Sequence, residues 1–271
     1  MRPILHPLPE VLLPVVCASI ADCDNDADIA VRGAAHLAFL RRCLPCRHGV
    51  PGECWLTILM NRITPALFAA AFEGRVRASW PDRAARVAID GKTLRRSRDR
   101  AAGTAPPHLV SAFATTARLL LAAEAGPDKA CELAAIPPLL ERLGAEGRPK
   151  GALVSIDAIA TNADIAQAIA AQGADWLPAV KANQPTLRAE VEAALAAHAP
   201  AQTHIAHDKG HGRIEARHTA VLHDTGWLDG HRRFPGAARL PGAACLICAT
   251  TEVEATRRKR SETSTSSPRA P

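Results

Sequence analysis

The chain has 271 residues, of which 48% are hydrophobic and 22% charged. That balance excludes a disordered or fibrous chain and allows one large domain or two modest ones. No apolar run reaches the roughly 18 residues of a membrane helix. The apolar stretch from Ile4 to Ile20 is broken by Pro7, Pro9 and Pro14, and it lacks the basic start and cleavage site of a secretory signal, so a cytoplasmic protein with no membrane partner is expected. The formal net charge of +6 is a mild lean toward an acidic partner such as nucleic acid.

Aromatic residues are only 3% and Tyr is absent, so the core has to be built from Ala, Leu, Val and Ile. Eight cysteines include two C-x2-C pairs, Cys43/Cys46 and Cys245/Cys248. The spacing is that of a zinc ribbon. Residues 243–251, however, read as a strand, in which positions i and i+3 point to opposite faces and cannot grip one ion. Most of the cysteines therefore read as small buried hydrophobes, and neither zinc nor a disulfide framework is expected.

In chain order, residues 11–80 read as helical. A helix is predicted over 28–44 from the spacing of Ile29, Ala30, Ala34, Leu37, Ala38, Leu40 and Leu44. A Gly/Pro-rich loop follows at 47–53, then a helix over 54–61. A third helix starts at Thr64-Pro65, a cap followed by Pro at the first helical position. Beyond Pro81 the texture changes. Strands are predicted at 86–90, 108–115 and 118–125, then a helix over 131–143 that contains Pro137-Pro138, tolerated as a kink or a late start. A strand follows at 151–157, a helix over 163–172 capped by Asn162 and ended by Gly173, a strand at 174–182 and a helix from Pro185 to His198. Strands return at 213–222 and 244–253. The last stretch, from Arg257, has almost nothing apolar and is predicted to be disordered.

The expected divisions are a helical N-terminal domain, 1–80; an α/β core with a mixed sheet and flanking helices, 81–199; a β-rich segment, 200–256; and a disordered tail, 257–271.

Two acids stand out. Asp90 and Asp157 each end a short buried-type strand, and in sheets with parallel neighbours function is built at strand ends. Two carboxylates brought together there need a hard divalent cation such as Mg²⁺ or Mn²⁺. A pair of such ions suits in-line displacement at a phosphodiester. Acids after strands are also common turn residues, and the pattern alone leaves that alternative open.

The motifs carry a resemblance. Val87-Ala-Ile-Asp-Gly-Lys-Thr-Leu-Arg95 resembles the first aspartate motif of the ISAs-type, H-repeat-associated insertion-sequence transposases of the DDE superfamily. His108-Leu-Val-Ser-Ala-Phe113, Glu132-Leu-Ala-Ala-Ile-Pro137, Val154-Ser-Ile-Asp-Ala158, Lys181-Ala-Asn-Gln184 and Asp208-Lys-Gly-His-Gly-Arg-Ile-Glu-Ala-Arg217 are similar to further family motifs in the same order. Phe39 to Pro51 resembles the helix–loop–helix before the family's catalytic domain.

The resemblance implies a ribonuclease-H-like core and a two-metal site using Mg²⁺ or Mn²⁺, with Asp90 and Asp157 as two of three carboxylate ligands. It also implies double-stranded DNA as substrate, namely the inverted repeats of the chain's own element. A homo-oligomer and a bacterial, nucleoid-associated location belong to the same expectation.

Lys92, Arg95, Arg96 and Arg98 are then phosphate contacts or a solvated basic loop. Lys181, Asn183 and Gln184 line the site or form a helix-capping turn. His211, Arg213, Glu215 and Arg217 share a strand face, either a DNA-facing stripe or a charge ladder.

The family's third acid lies in a later helix with a His-Trp-x-Ile-Glu-Asn pattern, absent here; Glu215 is its weaker substitute. The apolar content after Ser264 falls as a frameshift would make it fall. The expectation is therefore a transposase interrupted before its third acid and inactive. A DNA-binding fragment without catalysis and a poorly folding pseudogene product are the alternatives.

Overall fold

The computed structural model describes residues 4–79, 85–94, 106–126, 132–210, 213–229, 239–253 and 260–266. Its contacts divide the chain into two compact units, 1–74 and 75–271.

The first unit is helical. Helix α1 (Leu8–Ile20) starts after Pro7, with Pro9 in its first turn, where a missing backbone N–H costs nothing. Helix α2 (Asp26–Ala35) is capped by Asn25, whose side chain accepts a 2.8 Å hydrogen bond from the Asp28 amide. The single helix predicted over 28–44 is broken at His36, which leaves helical geometry at φ −107°, ψ 23°, and a short α3 (Leu37–Leu40) follows. Helices α4 (Glu53–Met60) and α5 (Pro65–Ser79) lie within two residues of their predicted bounds.

Val11, Ala18, Ile29 and Leu56 form the small core. Gly33 allows the close approach of α2 to its neighbours, since a Cβ there would lie 3.0 Å from Val50 and 3.3 Å from Pro14. Among the described residues, no single helix is long and apolar enough to cross a membrane.

The second unit is built on a mixed sheet. Its first five strands are β1 (Arg86–Thr93), β2 (His108–Ala114), β3 (Leu119–Gly126), β4 (Leu153–Ile156) and β5 (Asp175–Val180). They lie in the order β3-β2-β1-β4-β5. The β1–β2–β3 meander is antiparallel, and β4 and β5 run parallel to β1. This is the ribonuclease-H-like arrangement expected from the motifs.

The parallel crossovers require helices. Helix α6 (Glu132–Ala145) and helix α7 (Ala163–Ala171) supply them. Helix α6 begins before Pro137-Pro138 and runs through them, so the late start is not what occurs. Asn162 caps α7, accepting from the Ile165 amide at 2.9 Å, and Gly173 leaves the helix at φ +74°. Helix α8 (Pro185–Ala197) follows β5.

Val87, Ile89, Val110, Ala112, Val154, Ile156 and Trp176 on the strands join Ile136, Leu139, Leu140 and Leu143 of α6 and Ile165 and Ile169 of α7 in one core. Fully burying a side chain of this kind contributes about 1.5–3 kcal/mol. Arg142 ties α6 to β3 through Glu124 at 2.8 Å and the Ala123 carbonyl at 2.7 Å.

The remaining strands extend the sheet. These are β6 (Gln202–Gly210), β7 (Arg213–Leu222), β8 (Cys245–Val253) and β9 (Arg260–Ser266), joined in the order β5-β9-β8-β7-β6. Two of them differ from expectation. Residues 202–210 form a strand where none was predicted, because the long register with β7 supplies the order that their polar composition conceals. Residues 260–266, expected to be disordered, pair along β8 from Cys245↔Ser266 to Thr251↔Arg260 and touch β5 at Ala179↔Ser264 and Val180↔Thr263. A strand between two partners is stabilised by its backbone ladder, and β-branched Thr263 and Thr265 suit it without an apolar face. Cys245 and Cys248 lie on one continuous strand, β8, with Cys245 buried and Cys248 half-buried.

Candidate active site

β1, β4 and β5 are parallel neighbours; β4 ends at Ile156, whereas β1 runs on through Asp90 to Thr93 in register with β2, so Asp90 lies inside its strand and does not end it as expected. The β1/β4 register runs from Arg86↔Leu153 to Ile89↔Ile156. One step further along the same register stand Asp90 and Asp157. Val87 and Ile89 of β1, and Val154 and Ile156 of β4, are buried on the helix-covered face. Side chains alternate along a strand, so the two aspartates point to the opposite face, where both are exposed. Adjacent strands are about 4.8 Å apart, which sets the scale of the spacing between them.

The residues around this pair are held by backbone contacts. Asp157 precedes a 3₁₀ turn, Ala158–Ala160, that carries the chain into α7. Asn183 Nδ2 donates to the Ala158 carbonyl at 3.0 Å, and Gln184 Nε2 donates to the carbonyls of Ala158, at 3.2 Å, and Thr161. Thr161 Oγ1 donates to the Ala179 carbonyl at 2.7 Å. These side-chain amides therefore staple the turn after Asp157 to the end of β5. Gln184 is also the N-cap residue of α8, reached through a turn in which its amide N–H donates to the Lys181 carbonyl, but it makes no side-chain cap hydrogen bond there.

Lys181, immediately after β5, places its Nζ 3.0 Å from Asp157 Oδ1. Both side chains are about half exposed, at 44% and 52%. Lys92 lies two residues beyond Asp90 on β1, on the same face, and is exposed.

The other sequence-selected residues fall elsewhere. Arg95, Arg96, Arg98 and His211 lie outside the described residues, and Arg213 is described in its backbone only. Glu215 and Arg217 sit on β7 and pair with each other at 3.0 Å. In sheet order β7 is four strands from β4, about 19 Å along the sheet at the usual spacing. The topology therefore separates Glu215 from Asp90 and Asp157, which corrects its role as a substitute third acid. Among the described residues, no group of three His, Cys, Asp or Glu side chains is arranged to hold a metal.

Sequence reasoning missed a polar pair beneath the site. His108 opens β2 and Glu132 opens α6, and their side chains are 3% and 9% exposed. His108 Nε2 lies 3.1 Å from Glu132 Oε2 as a close ion-pair contact without hydrogen-bond alignment. The other ring nitrogen, Nδ1, is 3.0 Å from Thr93 Oγ1. The pair fills the space over Gly91, where a Cβ would meet Glu132 Cδ and His108 Nε2 at 2.5 Å. The signal available in the sequence was a glycine directly after the aspartate, inside a strand.

The donor set suits a hard divalent ion. Two carboxylates share a face of adjacent parallel strands, and one of them already accepts a cationic group, the Lys181 ammonium.

The strand order defines a ribonuclease-H-like core. Residues 82–265 match the transposase DDE domain, and residues 1–74 match the DDE_Tnp_1-associated domain. The chain belongs to the DDE transposase family. It is 33% identical over 217 residues to the "H repeat-associated putative transposase YhhI" of Escherichia coli (strain K12), covering 78% of this chain and 56% of YhhI. It is 31% identical over 222 residues to the similarly named YbfD of the same strain, covering 78% of this chain and 84% of YbfD.

An uncharacterized protein from the dhlA 3′ region of Xanthobacter autotrophicus is 32% identical over 244 residues, covering 87% of this chain and 80% of that protein. Among solved structures, a chain of the piggyBac transposase synaptic complex with hairpin DNA is similar at a TM-score of 0.34 and 8% identity, over 78% of this chain and 41% of its own. The fold assignment rests on strand order, not on that likeness. The domain match runs through the residues of β9 as far as 265.

Proposed function

We propose that this chain is a metal-dependent DNA transposase core that acts on the terminal inverted repeats of its own element. The single observation that supports the reading is the parallel β1/β4 register, which, extended by one step, pairs Asp90 with Asp157. These two carboxylates would hold Mg²⁺ or Mn²⁺. When bound, the ions supply charge stabilisation at the phosphodiester and activate the attacking oxygen.

The chain's own residues do the rest. The Asn183 and Gln184 amides and the Thr161 hydroxyl hold the Asp157 turn, so the carboxylate stays at its strand end when the repulsion between the two acids would push it away. Lys92 and Lys181 present ammonium groups next to the carboxylates, where DNA phosphates would lie. Arg95, Arg96, Arg98, His211, Arg213 and Arg217 complete the expected DNA contacts. Such contacts are sequence-independent and salt-sensitive. The protein works in the bacterial cytoplasm on the nucleoid, and pairing of two element ends brings two copies together.

Among the described residues no group of three His, Cys, Asp or Glu side chains could hold a metal. Ion affinity depends on ligand number and charge. We therefore propose that the pair of Asp90 and Asp157 alone binds divalent ions weakly and that cleavage needs a third acid of the His-Trp-x-Ile-Glu-Asn type.

The test is a strand-cleavage assay on inverted-repeat DNA with Mg²⁺ or Mn²⁺. It compares this chain, a version extended through that motif and the extended version with Asp157→Ala. Cleavage by the extended chain alone, lost with Asp157→Ala, is the expected result. Asp157-independent cleavage would remove the site from consideration. Asp157-dependent cleavage by the short chain would show that two acids suffice. A DNA-binding module without catalysis is the second reading, favoured by the lack of such a group of three among the described residues; it predicts DNA binding with no cleavage by either chain.

A further inference from the structure

The contact between Lys181 and Asp157 points to a role that neither the family match nor the proposed activity assigns. We propose that the Lys181 ammonium is a resident counter-cation of Asp157, exchanged for the divalent ion when the site loads. The inference rests on the reading of Asp90 and Asp157 as the metal-binding pair.

Three observations carry it. Lys181 Nζ lies 3.0 Å from Asp157 Oδ1, the oxygen that an incoming ion would have to share. Both side chains are about half exposed, so release of the ammonium opens no cavity and buries no charge. The backbone that carries Lys181 is fixed while its side chain is not. The Lys181 carbonyl accepts the Gln184 amide at 3.1 Å, and Asn183 and Gln184 are fastened to the 158–161 turn. The lysine stem is therefore anchored beside Asp157, and its flexible four-carbon chain can swing the ammonium away.

Charge explains why such a device is useful. Asp90 and Asp157 are register neighbours on one face, and two carboxylates so placed repel each other. Lys181 sets one positive charge against Asp157 and so offsets part of that repulsion. The same neutralisation has a cost: a divalent ion has to displace the ammonium before it can use Oδ1. Lys181 thus holds the site in shape and weakens its metal affinity together. A lysine that only stabilised the fold would give the opposite sign on removal, because loosening the Asp157 turn would weaken ion binding.

The experiment is a Mn²⁺ titration of the 271-residue chain, with free Mn²⁺ followed by its electron paramagnetic resonance signal. It compares wild type, Lys181→Met, Lys181→Arg and Asp157→Asn. Exposed ion pairs are weak, so the expected gain is modest: Lys181→Met binds Mn²⁺ about threefold to fivefold more tightly than wild type. Lys181→Arg, which keeps a cation on Asp157, stays within about twofold of wild type, and Asp157→Asn loses the binding.

Equal or weaker binding by Lys181→Met, with wild-type binding still abolished by Asp157→Asn, overturns the exchange and leaves the metal pair standing. Lys181→Arg binding as tightly as Lys181→Met also overturns it. Absence of Mn²⁺ binding in every chain, or binding indifferent to Asp157→Asn, overturns the metal pair and the exchange with it.

Discussion

Gly91 lies directly after Asp90 and faces the buried His108–Glu132 pair, so Gly91→Ala probes the support under the site with one added carbon. The new Cβ would lie 2.5 Å from both Glu132 Cδ and His108 Nε2, about 1 Å inside ordinary van der Waals contact. The neighbours have little room to yield, since the two side chains are 3% and 9% exposed and Thr93 holds the far side of the imidazole at 3.0 Å.

If the pair shifts intact, the cost is that of overpacking, about 1–3 kcal/mol. If the pair separates, a buried charge loses its partner, and the cost rises to about 3–5 kcal/mol. The expected loss is therefore about 2–4 kcal/mol, against a total domain stability of about 5–15 kcal/mol. Urea unfolding followed by circular dichroism and by the fluorescence of buried Trp176 measures it. Gly74→Ala in α5 is the control. A Cβ there meets nothing within 4 Å, and Ala in a helix interior is worth about 0.5–1 kcal/mol over Gly. Glu132→Ala in the Gly91→Ala background removes one of the two obstacles and leaves His108 room to move, so the two changes should cost less together than their sum. A Gly91→Ala protein within about 0.5 kcal/mol of wild type, a surface-like effect, would refute the packing argument.

Three further outcomes are expected. Asn162→Ala removes the cap of α7 and should cost about 1 kcal/mol in the same unfolding measurement, while Asn162→Asp should cost much less. Replacing Arg95, Arg96 and Arg98 together by Ala should weaken binding to duplex DNA and flatten its salt dependence, seen in fluorescence anisotropy at several salt concentrations; unchanged binding at matched salt would place the DNA path elsewhere. Burial, with the Glu10 carboxylate next in importance, raises the pKa of the Cys46 thiol. Timed alkylation at pH 8 should therefore modify exposed Cys43 and Cys54 well before Cys46. The linked stability is present below the usual thiol pKa of about 8.5 and is lost as pH rises through the raised value, so the first unit should soften in alkali.

Much of the element map is local and was legible in the sequence. Thr64-Pro65, Asn162, Gly173 and Gln184-Pro185 mark helix ends through caps and glycine or proline geometry, and the structure places α5, α7 and α8 accordingly. The strands that carry Asp90 and Asp157 were legible as apolar runs ending in an acid. The positions of these acids after apolar runs and the order of the motifs pointed to a shared site.

Other features depend on partners distant in sequence. Strands β6 and β9 lack apolar periodicity in the sequence, and their order comes from backbone ladders to β7 and β8. Asn183 and Gln184 read as ligand-facing or capping residues until tertiary structure brought the carbonyls of Ala158 and Thr161 within reach of their amides. Glu215 could be weighed as a third acid only while the strand order was unknown. The sequence alone specified the apolar strands of the core and the acids that follow their apolar runs. The tertiary structure decided which strand ends are neighbours, because parallel register is set by packing between segments far apart in the chain, and it alone placed Lys181 on Asp157 and the His108–Glu132 pair beneath Gly91.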